Sequence, residues 1–175
     1  MNTSERTIVE LKAKVDNLES VRSKLKALGA QHTGTFHQTD THFIVPKGRL
    51  KLQQIDSEKT ELIYHERENT SKPKRSDVFV LEISENKAIT ALLKKILKVK
   101  ATVKKTREIY WYQRTQIHLD TVDSLGSYVE FERKTLNTHR ETERNAQLLE
   151  QLMETLGINS EDLEKLSYGD LVSLE

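Results

Sequence analysis

Cysteine is absent from all 175 residues, which excludes a disulfide framework and any zinc site built on thiolates. A basic surplus is missing as well. The 28 Lys and Arg residues stand against 27 Asp and Glu, a formal charge of +1, without the electrostatic footprint of a general nucleic-acid binder. No apolar run approaches the length of a membrane span, and Met1-Asn2-Thr3-Ser4-Glu5-Arg6 lacks the apolar centre of a secretion signal. A cytoplasmic protein with neither nucleic-acid nor membrane partners is the expectation. No internal repeat or compositional break divides the chain, so one domain over 1–175 is expected.

What is present is polar but ordered. Hydrophobic residues make up 35% and charged residues 31%, yet short apolar runs recur from end to end, which argues for a folded core. Residues 7–15 alternate as a strand, with Val9, Leu11, Ala13 and Val15 on one face and Glu10, Lys12 and Lys14 on the other. Asp16 or Asn17 then caps a helix with Leu18, Val21, Leu25 and Leu28 on its apolar stripe, ending at Gly29. Strand patterns follow over 31–36, 39–45, 49–55, 61–68 and 78–83. Pro46-Lys47-Gly48 predicts a hairpin turn, 56–59 a second turn, and 69–77 a long polar loop. A helix is expected over 86–99, strands near 101–112, 115–121 and 127–134, a long helix over 138–156, and a short helical tail over 160–174. About eight strands with flanking helices suggest an α+β chain built on a closed antiparallel barrel, which leaves no exposed sheet edge.

The strand faces opposite the apolar ones are rich in full charges. Arg49, Lys51 and Gln53 share one; His65 and Arg67 another; Lys105 and Arg107, His118 and Asp120, and Glu130 and Glu132 make three more. A half-buried sheet turns such faces to solvent. Charges of both signs at period-two positions on most strands also suit a polar barrel interior, provided that something charged occupies it. A triphosphate with a divalent metal fits: Arg and Lys hold phosphate oxygens, while carboxylates such as Glu10, Asp120, Glu130 and Glu132 are ligands that Mg2+ or Mn2+ prefers.

The order of short motifs resembles the CYTH family, named for class IV adenylyl cyclases and thiamine triphosphatase. Val9-Glu10-Leu11-Lys12 resembles the end of that family's opening Glu-x-Glu-x-Lys signature. Gln38-Thr39-Asp40-Thr41-His42-Phe43 with Gly48-Arg49-Leu50-Lys51-Leu52, Tyr64-His65-Glu66-Arg67 and Pro73-Lys74-Arg75-Ser76 are similar to the class IV cyclase branch. Val103 to Arg107, Ile117 to Asp120, Leu125 to Glu132, and Leu166 to Leu171 continue the likeness in order. The resemblance implies an eight-stranded β-tunnel holding a nucleoside triphosphate or inorganic triphosphate with Mg2+ or Mn2+, and a homodimer. It implies catalytic roles for Glu10, Lys12 and Asp120, phosphate contacts from Lys12, Arg49, Lys51, Arg67, Lys105 and Arg107, and metal ligation by Glu10, Glu130 and Glu132. Cyclisation of ATP, triphosphate hydrolysis and non-catalytic binding all stay open.

Two positions depart from the pattern: Ile8 stands where the first Glu of the signature belongs, and Gln53 where an Arg is usual. Glu5 is out of register by three residues and faces the other way. His65 and His118 are expected to hydrogen-bond within the tunnel wall. Trp111 is expected in a core or interface, or else stacked on a base, and Leu148, Leu149, Leu152, Met153 and Leu156 as a core-facing stripe. Residues 71–75 read either as a basic lid or as a solvated loop.

Overall fold

The computed structural model describes residues 3–56, 58–84, 86–136 and 138–174. Met1 and Asn2 of the opening tract, and Ser57 of the expected second turn, lie outside them. Eight strands form a closed antiparallel barrel: β1 (Thr3–Lys14), β2 (Gln31–Phe43), β3 (Arg49–Ile55), β4 (Lys59–Arg67), β5 (Lys74–Ile83), β6 (Val99–Tyr112), β7 (Thr115–Val122) and β8 (Gly126–Lys134). Their order around the barrel is β1-β5-β4-β3-β2-β6-β7-β8, and β1 closes it by pairing with β8 as well as β5. The helices are α1 (Leu18–Ala27), α2 (Asn86–Ile96), α3 (His139–Thr155) and α4 (Tyr168–Val172).

Period-two alternation sorts each strand between an inside and an outside. The outward Val9, Leu11 and Ala13 of β1 join Ile117, Leu119, Val129 and Phe131 in the largest apolar cluster. There α1 contributes Val21 and Leu25, and α3 contributes Leu149, Leu152 and Met153, with Leu156 just beyond it. The side chain of Asn17 caps α1 by accepting from the Ser20 N–H at 3.1 Å, and Thr138 caps α3 in the same way. Helix α2 covers a second outer patch through Leu93, packed with Phe43 and Leu52.

Three expectations need correction. Residues 31–36 and 39–45 are one strand, because β2 pairs along its length with β6 and absorbs irregularity in register shifts near His32 and His42. The polar loop is shorter than its composition suggested, since β5 begins at Lys74 and pairs Glu10 with Lys74 and Thr7 with Asp77. Lys74 is buried, so the 71–75 segment is not a lid over its whole length. The C-terminal tail is not a continuous helix: Leu163 bridges Ala13 and the Glu164 N–H donates to the Lys12 carbonyl, leaving a 3-10 turn before and α4 after.

Helix α4 plugs one end of the barrel. Ser167 and Asp170 form a reciprocal cap at its start, and Tyr168 is buried with Val103, Val122 and Tyr128. A Cβ at Gly169 would come within 2.5 Å of the His42 ring. Gly169→Ala therefore forces α4 or His42 to shift, an overpacking expected to cost about 1–3 kcal/mol in urea unfolding. An unchanged midpoint would mean that α4 is not seated against His42.

Candidate active site

The strand faces opposite the helices turn into the barrel and make a charged tunnel. One cavity, of about 90 Å³, lies beneath α4 and is lined by Glu10, Lys12, His42, Arg49, Arg67 and Glu130 among others. A wider one, of about 740 Å³, opens at the other end beside Ile8, Trp111, Gln116 and His118. Lys51, His65, Arg107 and Glu132 line both and so form a waist between them. Of the expected site residues only Asp120 lines neither cavity.

Register explains which charges meet. Arg107 lies opposite Asp120 across β6 and β7, and Nε and Nη2 donate to the two Asp120 oxygens at 2.7 and 2.5 Å. Nη2 also donates to Glu130 Oε2 at 2.5 Å. Burial opposes both charges, yet Arg107 is held above its ordinary range by Asp120 and Glu130, and Glu130 well below its own, chiefly by Arg107. Lys12 Nζ sits 3.9 Å from Glu130 Oε1, and Arg67 donates to Glu10 Oε1 at 2.5 Å. Burial, with Glu132 and Glu130 nearby, raises the Glu10 pKa against the pull of Arg67.

A second knot centres on Asp40, which in the sequence stands only within the Gln38–Phe43 motif. Lys105 and Lys51 donate to its Oδ2 at 2.6 and 2.9 Å, and Gln53 to its Oδ1 at 2.8 Å. Burial alone would raise this carboxyl, but the two ammonium groups hold it far below the carboxylate range. Gln53, at the position where an Arg is usual, thus serves Asp40 with a neutral amide. Its signal was available, because Gln38, Asp40 and His42 alternate on β2 as the other inward charges do on their strands.

Burial also pushes Lys12 and Lys74 down to about 8, with Arg67 adding to the effect on both. Lys74 donates to the carbonyls of Thr70 and Lys165 at 3.2 and 3.5 Å and lines a separate cavity with Glu66, Arg67 and Thr70. Arg49 reaches Asn69 and lies 3.5 Å from Asp170 on α4. The imidazoles of His42 and His65 are pushed down to about 4 and about 3, by burial first and then by Lys51, so both are neutral at pH 7. The His118 Nδ1 is buried without a hydrogen-bond partner among the described residues.

Ile8 points inward and packs with Ile63, Val78 and Val80, and with Ile63 and Val78 it makes an apolar wall of the wide cavity. Glu5 pairs with Phe79 and is exposed, on the outer face as expected. Trp111 is 41% exposed at the rim of that cavity, which excludes a place in the core.

The model of the CYTH domain matches residues 7–168, almost the whole chain. The chain belongs to the CYTH family. A Methanocaldococcus jannaschii protein provisionally named an adenylate cyclase is 23% identical over 173 residues, covering 95% of this chain and 98% of its own. A Pyrococcus horikoshii structure is 26% identical with a TM-score of 0.84, over 94% of this chain and 99% of that one. A Hippeastrum protein proposed as an adenylyl cyclase but described as having a dominant triphosphatase activity is 18% identical, with a TM-score of 0.64 over 95% and 94% of the two chains. The closed eight-stranded barrel with flanking helices is the CYTH tunnel fold. No helix among the described residues of this CYTH chain is long and apolar enough to cross a membrane.

Proposed function

We propose that this CYTH tunnel binds a nucleoside triphosphate with Mg2+ or Mn2+ and cyclises it, turning ATP into cyclic AMP and pyrophosphate. The observation that carries this reading is the convergence of Lys12, Arg49, Lys51, Arg67, Lys105 and Arg107 on one tunnel beside Glu10, Glu130 and Glu132. A tunnel so lined needs an anion to occupy it and a divalent ion to reconcile that anion with the carboxylates. The donor set fits such an ion, since the Glu132 carboxylate accepts no hydrogen bond among the described residues and the buried His118 Nδ1 beside it is unpartnered. Glu130 and Glu132 would hold it, and Glu10, bonded to Arg67, is left for proton transfer. When bound, the metal supplies charge neutralisation on the phosphates and acidifies the attacking hydroxyl.

The remaining steps belong to side chains. The cations around the narrow cavity grip the triphosphate, while the apolar wall at Ile8 and the rim at Trp111 border space for the nucleoside in the wide one. The ribose 3′-hydroxyl attacks the α-phosphorus, the bond to the β-phosphate oxygen breaks, and pyrophosphate leaves. Glu10, whose raised pKa suits a proton acceptor, takes the hydroxyl proton. Asp120, enclosed by Arg107 and the Tyr168 hydroxyl, orients the guanidinium and is a positioning residue in this scheme.

A triphosphatase reading has its own support: the narrow cavity of about 90 Å³ at the densest charge suits phosphate groups rather than a nucleoside. Incubating ATP and inorganic triphosphate separately with each metal, and resolving the products, decides between them. Cyclic AMP with pyrophosphate is the expected result. Phosphate alone would make the protein a hydrolase, and tight binding without products a non-catalytic module. The homodimer belongs to the same proposal, and sedimentation at micromolar concentration reads it directly.

Triphosphate binding should take up protons near pH 8.5. Burial holds the free Lys12 ammonium down to about 8, so above that pH it is largely neutral until the phosphates recharge it. Affinity should therefore fall as pH rises from 7.5 to 9. Calorimetry in buffers of different ionisation enthalpy should report the uptake at pH 8.5 and almost none at pH 6.5. Equal heats across buffers at pH 8.5 would remove Lys12 from the phosphate grip.

A further inference from the structure

Strands β7 and β8 bring a nitrogen donor to the acidic side of the tunnel. His118 lies opposite Glu130 in the β7–β8 register, and Glu132 follows two residues along the same face. One donor atom from each of the three lies within 4.8 Å of the others. His118 Nδ1 stands 3.7 Å from Glu130 Oε2 and 4.0 Å from Glu132 Oε1, too far for a hydrogen bond to either. The His118 side chain is only 4% exposed, and its Nδ1 has no protein hydrogen-bond partner among the described residues. A buried imidazole nitrogen pointed at two carboxylates is an arrangement that a bound cation completes.

Strand β1 cannot supply the same donors. Position 8 is an isoleucine, and Glu10 is engaged by Arg67. Glu130 gives Oε2 to Arg107, its Oε1 lies 3.9 Å from Lys12 Nζ without a hydrogen bond, and Glu132 is free of hydrogen bonds among the described residues. Arg107 and Lys12 face the cluster as cations, and Glu10 and Asp120 offset them.

We infer that the metal site of this chain is a mixed nitrogen–oxygen site. In it His118 Nδ1 is a ligand beside Glu130 and Glu132, and it selects Mn2+ over Mg2+. Mg2+ takes oxygen donors and gives up its waters reluctantly, whereas imidazole suits transition-metal ions. Metal–ligand bonds of about 2.0–2.2 Å require the three side chains to draw together by small rotations. The inference rests on the reading of the tunnel as a metal-dependent triphosphate site.

The test uses the whole chain without nucleotide. Mn2+ is titrated by electron paramagnetic resonance, Mg2+ is added as competitor, and pulsed measurements on bound Mn2+ look for nitrogen-14 coupling. Wild type should show the coupling and bind Mn2+ about tenfold or more tighter than Mg2+. His118→Asn should lose the coupling and about tenfold in Mn2+ affinity while Mg2+ affinity changes by less than about threefold. Mn2+ bound without nitrogen coupling in the wild type overturns the inference, as do parallel losses for both metals in the variant. Should His118→Asn fail to fold, the wild-type spectrum decides alone. Calorimetry with inorganic triphosphate and Mg2+ separates the two levels. Triphosphate binding without nitrogen coupling sinks the His118 assignment and leaves the tunnel reading intact, while absence of any triphosphate binding sinks that reading.

Discussion

Arg107→Ala should destabilise the fold by about 3–5 kcal/mol at pH 7 and abolish turnover, because it strands two buried carboxylates at once. Asp120 is completely buried and owes two of its hydrogen bonds to this guanidinium, with the Tyr168 hydroxyl supplying another. Glu130 loses the cation that does most to hold it ionised. The pH dependence carries the sign. In wild type Glu130 has a depressed pKa, so its contribution is complete above the unfolded carboxyl value and fades as pH falls through the acid range. Without Arg107 the stranded Glu130 carboxyl favours protonation, so the variant gains relative to wild type on acidification. Urea unfolding at pH 7 and pH 5 should show the gap narrowing; a gap that stays constant would mean that the Arg107 ion pairs do not carry the effect.

Glu130→Ala is expected to separate chemistry from stability. Arg107 keeps both of its bonds to Asp120, so the fold should lose much less than in Arg107→Ala. The proposed metal site loses a carboxylate, and Lys12 loses the nearest charge that holds it in place. Turnover of ATP should fall by about 10²–10³-fold in kcat/KM, the range seen when one group that stabilises developing charge is removed. A change of less than about threefold would place the reaction away from Glu130.

The barrel was legible because alternation is a local property. In β1, Val9, Leu11 and Ala13 against Glu10 and Lys12 declare their two faces without knowledge of any other strand. The caps at Asn17 and Thr138 and the stops at Gly29 and Gly157 are local as well, and both glycines take positive φ. Lys74 was read as loop because Pro73 and a polar run surround it; its place in β5 comes from pairing with β1, about 64 residues distant in sequence. Motif reading placed Arg107, Asp120 and Glu130 in one tunnel, but which cation meets which carboxylate depends on strand register. The same limit hid the Asp40 knot, which joins β2, β3 and β6, and the approach of His118 to Glu132. The insertion of Tyr168 into the barrel end was beyond pattern reading too, since a five-residue helix shows no face of its own.

The most direct test of the tunnel as the triphosphate site is a crystal structure with Mn2+ and an ATP analogue that resists both cyclisation and hydrolysis. The account predicts phosphates inside the barrel, in contact with Arg107, Lys105 and Lys12, and the nucleoside in the wide cavity beside Ile8 and Trp111. An analogue bound on the outer surface, with the Arg107–Asp120 and Lys105–Asp40 pairs undisturbed and no density between them, would contradict it.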